Sequence, residues 1–293
     1  MLKKMASPDM TLDRLNALPR SGFVAALADV FEHAPWVAEA ALGSRPFTTV
    51  AAMHDTMMAA VHTATPDAQL GFIRNHPELG SKVARAELTK DSQAEQGSLG
   101  LDRLGAEEFA RFEKLNAAYG AKFGFPFIIC VRRHTRDSIL RQFERRLANG
   151  IAAERTTALD EIARITRLRL NAKVDGPGKP QTDGRLSTHV LDIMRGRPAQ
   201  GVHIALYEIG ASARGLLADS TTNAQGRTDN PLIADEPLRI GTYELQFNIG
   251  HYFGDMEKFL GIVSVRFALA EPEGHYHVPL IVTPWSYTTY RGS

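Results

Sequence analysis

The sequence contains a single cysteine, Cys130, among 293 residues. One cysteine cannot form a disulfide within the chain, and it excludes a metal site built from several thiolates. No run approaches the ~18 apolar residues of a membrane-spanning helix. The first fifteen residues, MLKKMASPDMTLDRL, lack the apolar core of a signal peptide. We therefore expect a soluble protein of the reducing cytoplasm.

An excess of either charge is also missing. Lysine and arginine number 34 against 33 aspartates and glutamates, which gives a net charge of +1. This balance offers no general reason to expect a nucleic-acid or membrane partner. The arginines between residues 132 and 146 form a local cluster, but helical spacing spreads them around the axis and acidic residues interrupt them. We predict a solvated helix face here, with only Arg146 turned inward.

The hydrophobic pattern is helical from residue 11 to residue 170. In AEEFARFEKLNAAY, for example, Phe109, Phe112 and Tyr119 fall on one stripe. The segment KFGFPFIICV lies between two such helices, and its glycine and proline favour a buried, irregular conformation. We predict an all-α domain over residues 1–170.

The pattern changes after residue 170. Residues 171–184, NAKVDGPGKPQTDG, have the glycine and proline content of a linker. From residue 185 to residue 293 apolar residues alternate with polar ones, as in TYELQFNI, in seven or eight short strands. This period of two predicts an antiparallel β-sandwich as the second domain.

His76 is the first candidate site residue. It sits in FIRNHPELG, where Pro77 disfavours helical dihedrals and therefore places the histidine at a helix exit, facing a cleft. The alternative is a surface histidine that caps the last carbonyls of the helix.

Glu95, in SQAE, has two possible interpretations. It completes a capping box begun by Ser92, or it stands at a helix N-terminus that binds an anion.

Three residues of the second domain could meet in a cleft: His189 in a first strand, Arg227 in a turn, and His277 in HYHVPL. Alternation places His275 on the same strand face as His277. Each has a simpler explanation, as a strand-end or turn residue, and the terminal YRGS could be a frayed tail. Two histidines could also bind zinc, but no third ligand has suitable spacing, so we expect no metal.

Together, the motifs LSTHVLDIMRGRPAQGVHIALYEI, TNAQGRT and HYHVPLIVTPWSYTTYRGS resemble the transthyretin-related 5-hydroxyisourate hydrolases over residues 185–293. The YRGS ending separates these enzymes from the hormone carrier transthyretin. The resemblance implies metal-free hydrolysis by His189, Arg227 and His277, with His277 as the base. It implies that Tyr290 and Ser293 line the substrate site. It also implies a homotetramer with that site at a dimer–dimer interface.

A second group of motifs, FEHAPWVAEAA, NHPELGSK, SQAEQG, FGFPFIICV and ERRLANG, resembles the 2-oxo-4-hydroxy-4-carboxy-5-ureidoimidazoline (OHCU) decarboxylases over about residues 10–170. The resemblance implies decarboxylation without a cofactor, catalysed by His76 and Glu95, and a dimer through this domain. It assigns substrate-binding roles to Pro77, Ser92, Gln96, Phe127, Ile129 and Arg146.

Both resemblances together imply two consecutive steps of urate breakdown, from 5-hydroxyisourate to OHCU and then to (S)-allantoin. One alternative is a transthyretin-like carrier of a small ligand, although a carrier has no need for His189, Arg227 and His277 together. The other alternative is a chain with only one active domain.

Overall fold

The computed structural model describes residues 10–80, 90–100, 105–211 and 213–292. The chain divides into two compact units. The first contains Met1–Arg132 with Ile139–Gln181, and the second contains Arg133–Ser138 with Thr182–Ser293. Each unit has its own hydrophobic core, helical in the first and built from strands in the second. The predicted fold class, an all-α domain followed by a β-sandwich, is confirmed.

The helices in chain order are α1 Leu12–Ala17, α2 Arg20–Leu27, α3 Pro35–Ala41, α4 Val50–Thr63, α5 Pro66–Arg74, α6 Lys90–Ser98, α7 Ala106–Phe123, α8 Arg136–Arg146 and α9 Ile151–Lys173. Threonine side chains cap the first turn of four of the described helices. Thr49, for example, accepts a hydrogen bond from the Ala52 amide at the start of α4. Pro66 occupies the first position of α5, where a residue without an amide proton loses no hydrogen bond of the helix. Gly124 ends α7 in the left-handed conformation, with φ 73°.

Helix α9 is the longest described helix and packs against α4, α5 and α7. Its buried face combines apolar residues such as Ile162 and Ile165 with polar ones, among them Thr166 and Arg169. The segment between α7 and α8 is irregular and buried from Phe125 to Cys130, except for the half-buried Pro126. Residues from both parts of the chain line one cavity.

The residues after α9 are folded onto the first unit. Val174 and Asp175 form strand β2, which pairs in parallel with β1, Met10–Thr11. The first amides of α4, Val50 and Ala51, donate to the carbonyls of Pro177 and Gly178. Because the first turn of a helix has no internal acceptors for its amides, this glycine-rich stretch supplies them. Its composition indicated a linker, yet at least its first half is held by the helical unit.

The second unit contains β3 Gly184–Asp192, β4 Arg197–Pro198, β5 His203–Ile209, β6 Arg214–Thr221, β7 Ile233–Glu236, β8 Gly241–Asn248, α10 Ile249–Phe253, β9 Ile262–Leu269, β10 His275–Val282 and β11 Tyr287–Thr289. One sheet has the order β11-β10-β3-β4, with β7 also paired to β3, and the other has the order β6-β5-β8-β9. All described pairs in these two sheets are antiparallel except β10 with β3.

The β10–β3 pair positions the histidines. Leu186 and Val190 of β3, with Val278 and Leu280 of β10, are buried in the core. Because strand side chains alternate between faces, Ser187, His189 and His277 lie on the outer face of the sheet. The register places His277 opposite Ser187 on that face.

Within the described residues, no helix has both the length and the apolar character needed to cross a membrane.

Candidate active sites

The first unit contains a cavity of about 400 Å³, counting the part that opens to solvent. Its lining includes the polar residues His76, Ser92, Glu95, Gln96 and Arg169 and the apolar residues Pro77, Phe127 and Ile129. Seven of these eight residues were assigned to the substrate site from the sequence, and Arg169 was not. Segments far apart in the sequence therefore meet around one concave surface.

His76 lies just beyond α5, where its amide donates to the Ile73 carbonyl. Its ring is buried, and Nδ1 lies 3.1 Å from the Phe72 carbonyl oxygen. Because a carbonyl can only accept, Nδ1 carries the proton and Nε2 presents a lone pair. Nε2 is buried and has no hydrogen-bond partner among the described residues. Burial lowers the pKa of His76 to about 4, against an opposing effect of the Glu32 charge. The ring is therefore a neutral acceptor at neutral pH.

Arg169 is the cationic residue in the described lining of this cavity. Its guanidinium binds Glu95 through two parallel hydrogen bonds, Nε to Oε1 at 3.0 Å and Nη2 to Oε2 at 2.8 Å. A third bond joins Nη1 to Glu32 at 2.6 Å. Burial alone would lower the pKa of Arg169, but the bonds with Glu95 and Glu32 outweigh it and raise the pKa. Arg169 thus remains charged and fixes the position of the Glu95 carboxylate.

Ser92 does not begin a helix. It lies inside α6, and its hydroxyl lies 3.1 Å from each carboxylate oxygen of Glu32. The capping-box interpretation of SQAE is therefore wrong, because an N-cap residue lies outside the helix it caps. Gln96 accepts a hydrogen bond from the Gly80 amide at 3.1 Å, which ties α6 to the segment that follows His76.

Arg146 turns inward, as predicted, but it lies outside the described lining of the cavity. Its guanidinium binds Glu154 at 2.6–2.7 Å and donates to the Ile128 carbonyl at 2.7 Å. It also stacks over the Phe127 ring, 4.4 Å from the centroid. The substrate-binding role predicted for Arg146 therefore has no geometric support in the described cavity lining. Arg146 instead stabilises two residues of the cavity lining, Phe127 and Ile128, through these contacts.

The second unit brings together His189, Arg227 and His277. His189 pairs with Arg227 through an isolated β-bridge, and His277 pairs with Gly292 in the same way. Burial chiefly lowers the pKa of both histidines, and the positive charge of Arg227 lowers it further. Both rings are therefore neutral near pH 7. Nε2 of His189 is buried and has no hydrogen-bond partner among the described residues, so it is available to a ligand.

Ser187 is a residue of this site that the sequence did not indicate. Its hydroxyl lies 3.0 Å from Nδ1 of His277 and 3.3 Å from Nε2 of His275. The two histidines therefore share one strand face, as their spacing predicts. Since Nδ1 of His277 is bound to Ser187, its ring is held in one orientation.

The YRGS segment contacts this site through Gly292. The Gly292 amide donates to the His277 carbonyl at 2.8 Å. A Cβ atom at Gly292 would lie 2.8 Å from Cδ2 of His277, so the close approach requires glycine. Tyr290 is 56% exposed. Ser293, which was also assigned to the substrate site, lies outside the described residues.

No cluster of three or more histidine, cysteine, aspartate or glutamate side chains that could hold a metal ion occurs among the residues described.

The fold and the two sites define a two-domain class: an all-α domain with a histidine–arginine cavity, followed by a β-sandwich that brings two histidines and an arginine together. The OHCU decarboxylase family model matches residues 16–171, and the HIUase/Transthyretin family model matches residues 186–292. The chain therefore belongs to the OHCU decarboxylase family through its first domain and to the HIUase/Transthyretin family through its second.

Individual proteins show the same division. A 2-oxo-4-hydroxy-4-carboxy-5-ureidoimidazoline decarboxylase of Haloferax volcanii is 41% identical over 162 residues, 55% of this chain and 95% of the relative. A 5-hydroxyisourate hydrolase of Deinococcus radiodurans is 48% identical over 113 residues, 37% of this chain and 95% of the relative. A crystal structure of (S)-allantoin synthase is 31% identical, with a TM-score of 0.53, and covers 97% of this chain and 100% of its own.

Proposed function

We propose that this chain is a bifunctional enzyme that catalyses two consecutive steps of urate degradation. The second domain hydrolyses 5-hydroxyisourate to OHCU, and the first decarboxylates OHCU to (S)-allantoin. The observation that carries this function is the similarity to (S)-allantoin synthase over 97% of the chain, because it spans both domains in one polypeptide. Each domain also keeps a buried or half-buried neutral histidine beside an arginine.

In the hydrolase domain, neutral His277 takes a proton from water as the water oxygen attacks a ring carbonyl carbon of the substrate. The adjacent C–N bond then breaks, and the released nitrogen takes a proton. His189 shares in the proton transfer. Arg227 stabilises the oxygen on which negative charge develops, since a planar guanidinium offers several parallel donors. Ser187 holds the His277 ring for this step.

In the decarboxylase domain, CO₂ leaves and its bonding electrons remain on the substrate ring, where the adjacent conjugated imine accepts them. Nε2 of His76 accepts the proton of the hydroxyl group on the carbon that loses CO₂. Arg169 supplies the positive charge that an anionic substrate needs. Glu95, held by Arg169, relays the proton that gives the (S) configuration. The chemistry needs orientation and charge stabilisation from side chains, and we assign it no cofactor.

The coupled reaction on the intact chain tests this function. We expect the ultraviolet absorbance of freshly made 5-hydroxyisourate to decay faster than in buffer, and circular dichroism to show (S)-allantoin. His76→Ala should accumulate OHCU, while His277→Ala should leave the first step at its spontaneous rate. A carrier would turn over neither compound, and a chain with one dead domain would accelerate only one step.

Self-association through the second domain is part of the proposal. Strands β9 and β11 lie at sheet edges and carry exposed apolar side chains, Ile262 at 63% and Tyr287 at 44%. Such edges favour pairing with another chain. We infer a homotetramer through this domain, which light scattering on the purified protein can measure. The dimer through the helical domain and the cytoplasmic location stay predictions from the sequence.

A further inference from the structure

A buried carboxylate that sequence reasoning did not single out lies behind the decarboxylase cavity. Glu32, in the segment between α2 and α3, is only 1% exposed. It binds Nη1 of Arg169 at 2.6 Å and accepts from the Ser92 hydroxyl, which lies 3.1 Å from both of its oxygens. Both partners line the cavity, and Glu32 is not among the described lining residues. It therefore contacts two residues of the site from the protein side.

The backbone that carries Glu32 is in a conformation that non-glycine residues rarely adopt. The φ angles of Glu32 and His33 are 35° and 56°, both in the left-handed region that disfavours a Cβ atom. Such strain persists only where the surroundings determine the conformation, and it is concentrated at functional sites. Here buried neighbours on either side, Phe31 and Ala34, fix the turn. The turn directs the Glu32 carboxylate toward Arg169.

The Arg169 guanidinium is held from two directions. Glu95 binds its Nε and Nη2 atoms, and Glu32 binds Nη1. With Glu95 alone, the guanidinium could pivot together with that side chain, because both would belong to one bidentate pair. Glu32 supplies the second anchor, and it is attached to a different part of the fold. It also fixes the hydroxyl of Ser92, which itself receives a hydrogen bond from Nη2 of Arg169.

We propose that Glu32 is a positioning residue of the decarboxylase, which orients Arg169 and Ser92 for the anionic substrate. This inference rests on the proposed function of the first domain. Glu32 acts through Arg169 and does not touch the reacting atoms. Its loss therefore weakens substrate binding and loosens the placement of Glu95. Loss of one partner of a buried hydrogen bond to a charged group typically weakens the interaction about tenfold or more.

The test is Glu32→Gln in the full-length chain, because glutamine keeps the shape and the hydrogen bond to Ser92 but not the ion pair. We expect KM for OHCU to rise about tenfold or more, with a smaller change in kcat. Hydrolase activity of the same molecules should be unchanged, which gives an internal control. Glu39→Gln, the same substitution at a half-exposed glutamate 4.0 Å from Arg20, should leave KM at the wild-type value.

A variant that only loses stability separates positioning from a structural role. Leu15→Ala removes a fully buried side chain outside the cavity lining, so it should lower the melting temperature without raising KM. The inference is overturned if Glu32→Gln leaves KM unchanged, or if Leu15→Ala raises KM as much. If Glu32→Gln does not fold, Ser92→Ala removes the hydroxyl between Glu32 and Arg169, and an unchanged KM there overturns the inference too. Absence of OHCU decarboxylation by the wild-type chain would instead refute the proposed function itself.

Discussion

At the scale of single residues, the two sites share one property: each keeps a histidine neutral by burial. In the hydrolase site the charge of Arg227 adds to burial, so the pKa values of His189 and His277 both lie below the ordinary value. In the decarboxylase site, burial brings the pKa of His76 to about 4 despite nearby carboxylates. A neutral imidazole can accept a proton, which is what both proposed reactions require.

The pH dependence of hydrolysis follows from these shifts. A base acts only when unprotonated, so kcat/KM should fall on the acid side with an apparent pKa below ~6.5. Arg227→Gln removes a positive charge that lowers the pKa of both histidines. The acid limb of the pH profile, where kcat/KM falls, should therefore move to higher pH. Arg227→Lys keeps the charge and should leave the limb near its original position.

The measurement is kcat/KM between pH 4.5 and 8, with the spontaneous rate subtracted. Both substitutions should lower the absolute rate, because Arg227 is assigned to the substrate site. Only the position of the limb distinguishes them. Equal positions for Arg227→Gln and Arg227→Lys would show that the charge of Arg227 does not control these histidines.

At the scale of elements, helix α9 connects two buried polar clusters of the helical unit, one around His54 and one around Arg169. Thr166 accepts or donates a hydrogen bond with Nε2 of His54 on α4 at 2.9 Å, and one turn later Arg169 enters the cavity. Burial lowers the pKa of His54 to about 4, with the charge of Arg167 as the next contribution. The contact between α4 and α9 is thus sensitive to acid.

This sensitivity gives a stability prediction. The folded-state pKa of His54 lies below its unfolded value, so the unfolded state binds more protons between pH 6.5 and 4. The contribution of neutral His54 is present above pH 6.5 and is lost as the pH falls toward 4. The loss is about 3–4 kcal/mol, at ~1.4 kcal/mol per pKa unit. His54→Gln should therefore lose less stability to acid than the wild type.

Urea unfolding followed by helical circular dichroism, at several pH values between 7 and 4, measures the difference. His62→Gln, at an exposed position of the same helix, is the matched control and should behave as the wild type. A pH-independent gap between His54→Gln and wild type would contradict the linkage.

The wall of the decarboxylase cavity also depends on the contact between helices α8 and α9. Glu154 of α9 is fully buried and receives hydrogen bonds from Arg146, Tyr119 and Asn149. Arg146 in turn donates a hydrogen bond to the Ile128 carbonyl and stacks over the Phe127 ring. Glu154→Gln breaks a buried ion pair and should destabilise the helical unit by about 3–5 kcal/mol, and it should raise KM for OHCU.

An exposed pair offers the comparison. Arg111 and Glu144 also form an ion pair, at 2.6 Å, but both side chains are about half exposed. Glu144→Gln should change the free energy of unfolding by less than ~1 kcal/mol and leave KM unaltered. If both glutamine variants gave equal losses of stability, burial would not be the controlling factor.

Much of this arrangement could be predicted from the sequence, because local patterns determine it. The change of hydrophobic period separated the two domains, and Pro77 placed His76 at a helix end. Arg169 and Glu32 were missed because their roles arise from long-range contacts. Arg169 lies 74 residues after Glu95, although a charged residue on the apolar stripe of Ile162 and Ile165 was a usable signal. Glu32 depends on a left-handed turn that no periodicity encodes. For Arg146, the sequence indicated burial correctly but could not identify its partners.

At the scale of the whole molecule, two cores and two sites lie in one chain. Each described site is built entirely from residues of its own unit. The product of one is the substrate of the other, so fusion keeps the two activities in equal amounts. It also means that each chain that produces OHCU carries a site that can consume it. Nothing in either site requires the other to be intact.

That independence predicts complementation between single-site variants. A chain with His277→Ala should keep decarboxylase activity, and a chain with His76→Ala should keep hydrolase activity. Mixed at equal concentration, they should form (S)-allantoin from 5-hydroxyisourate at the steady rate of a wild-type sample with the same concentration of each active site. Only a lag should be added, because OHCU must diffuse between molecules. Circular dichroism of the product follows the rate, and each variant alone provides the baseline. If the mixture produced no more (S)-allantoin than the two variants measured separately, OHCU would have to pass between sites within one molecule, and the sites could not be treated as independent.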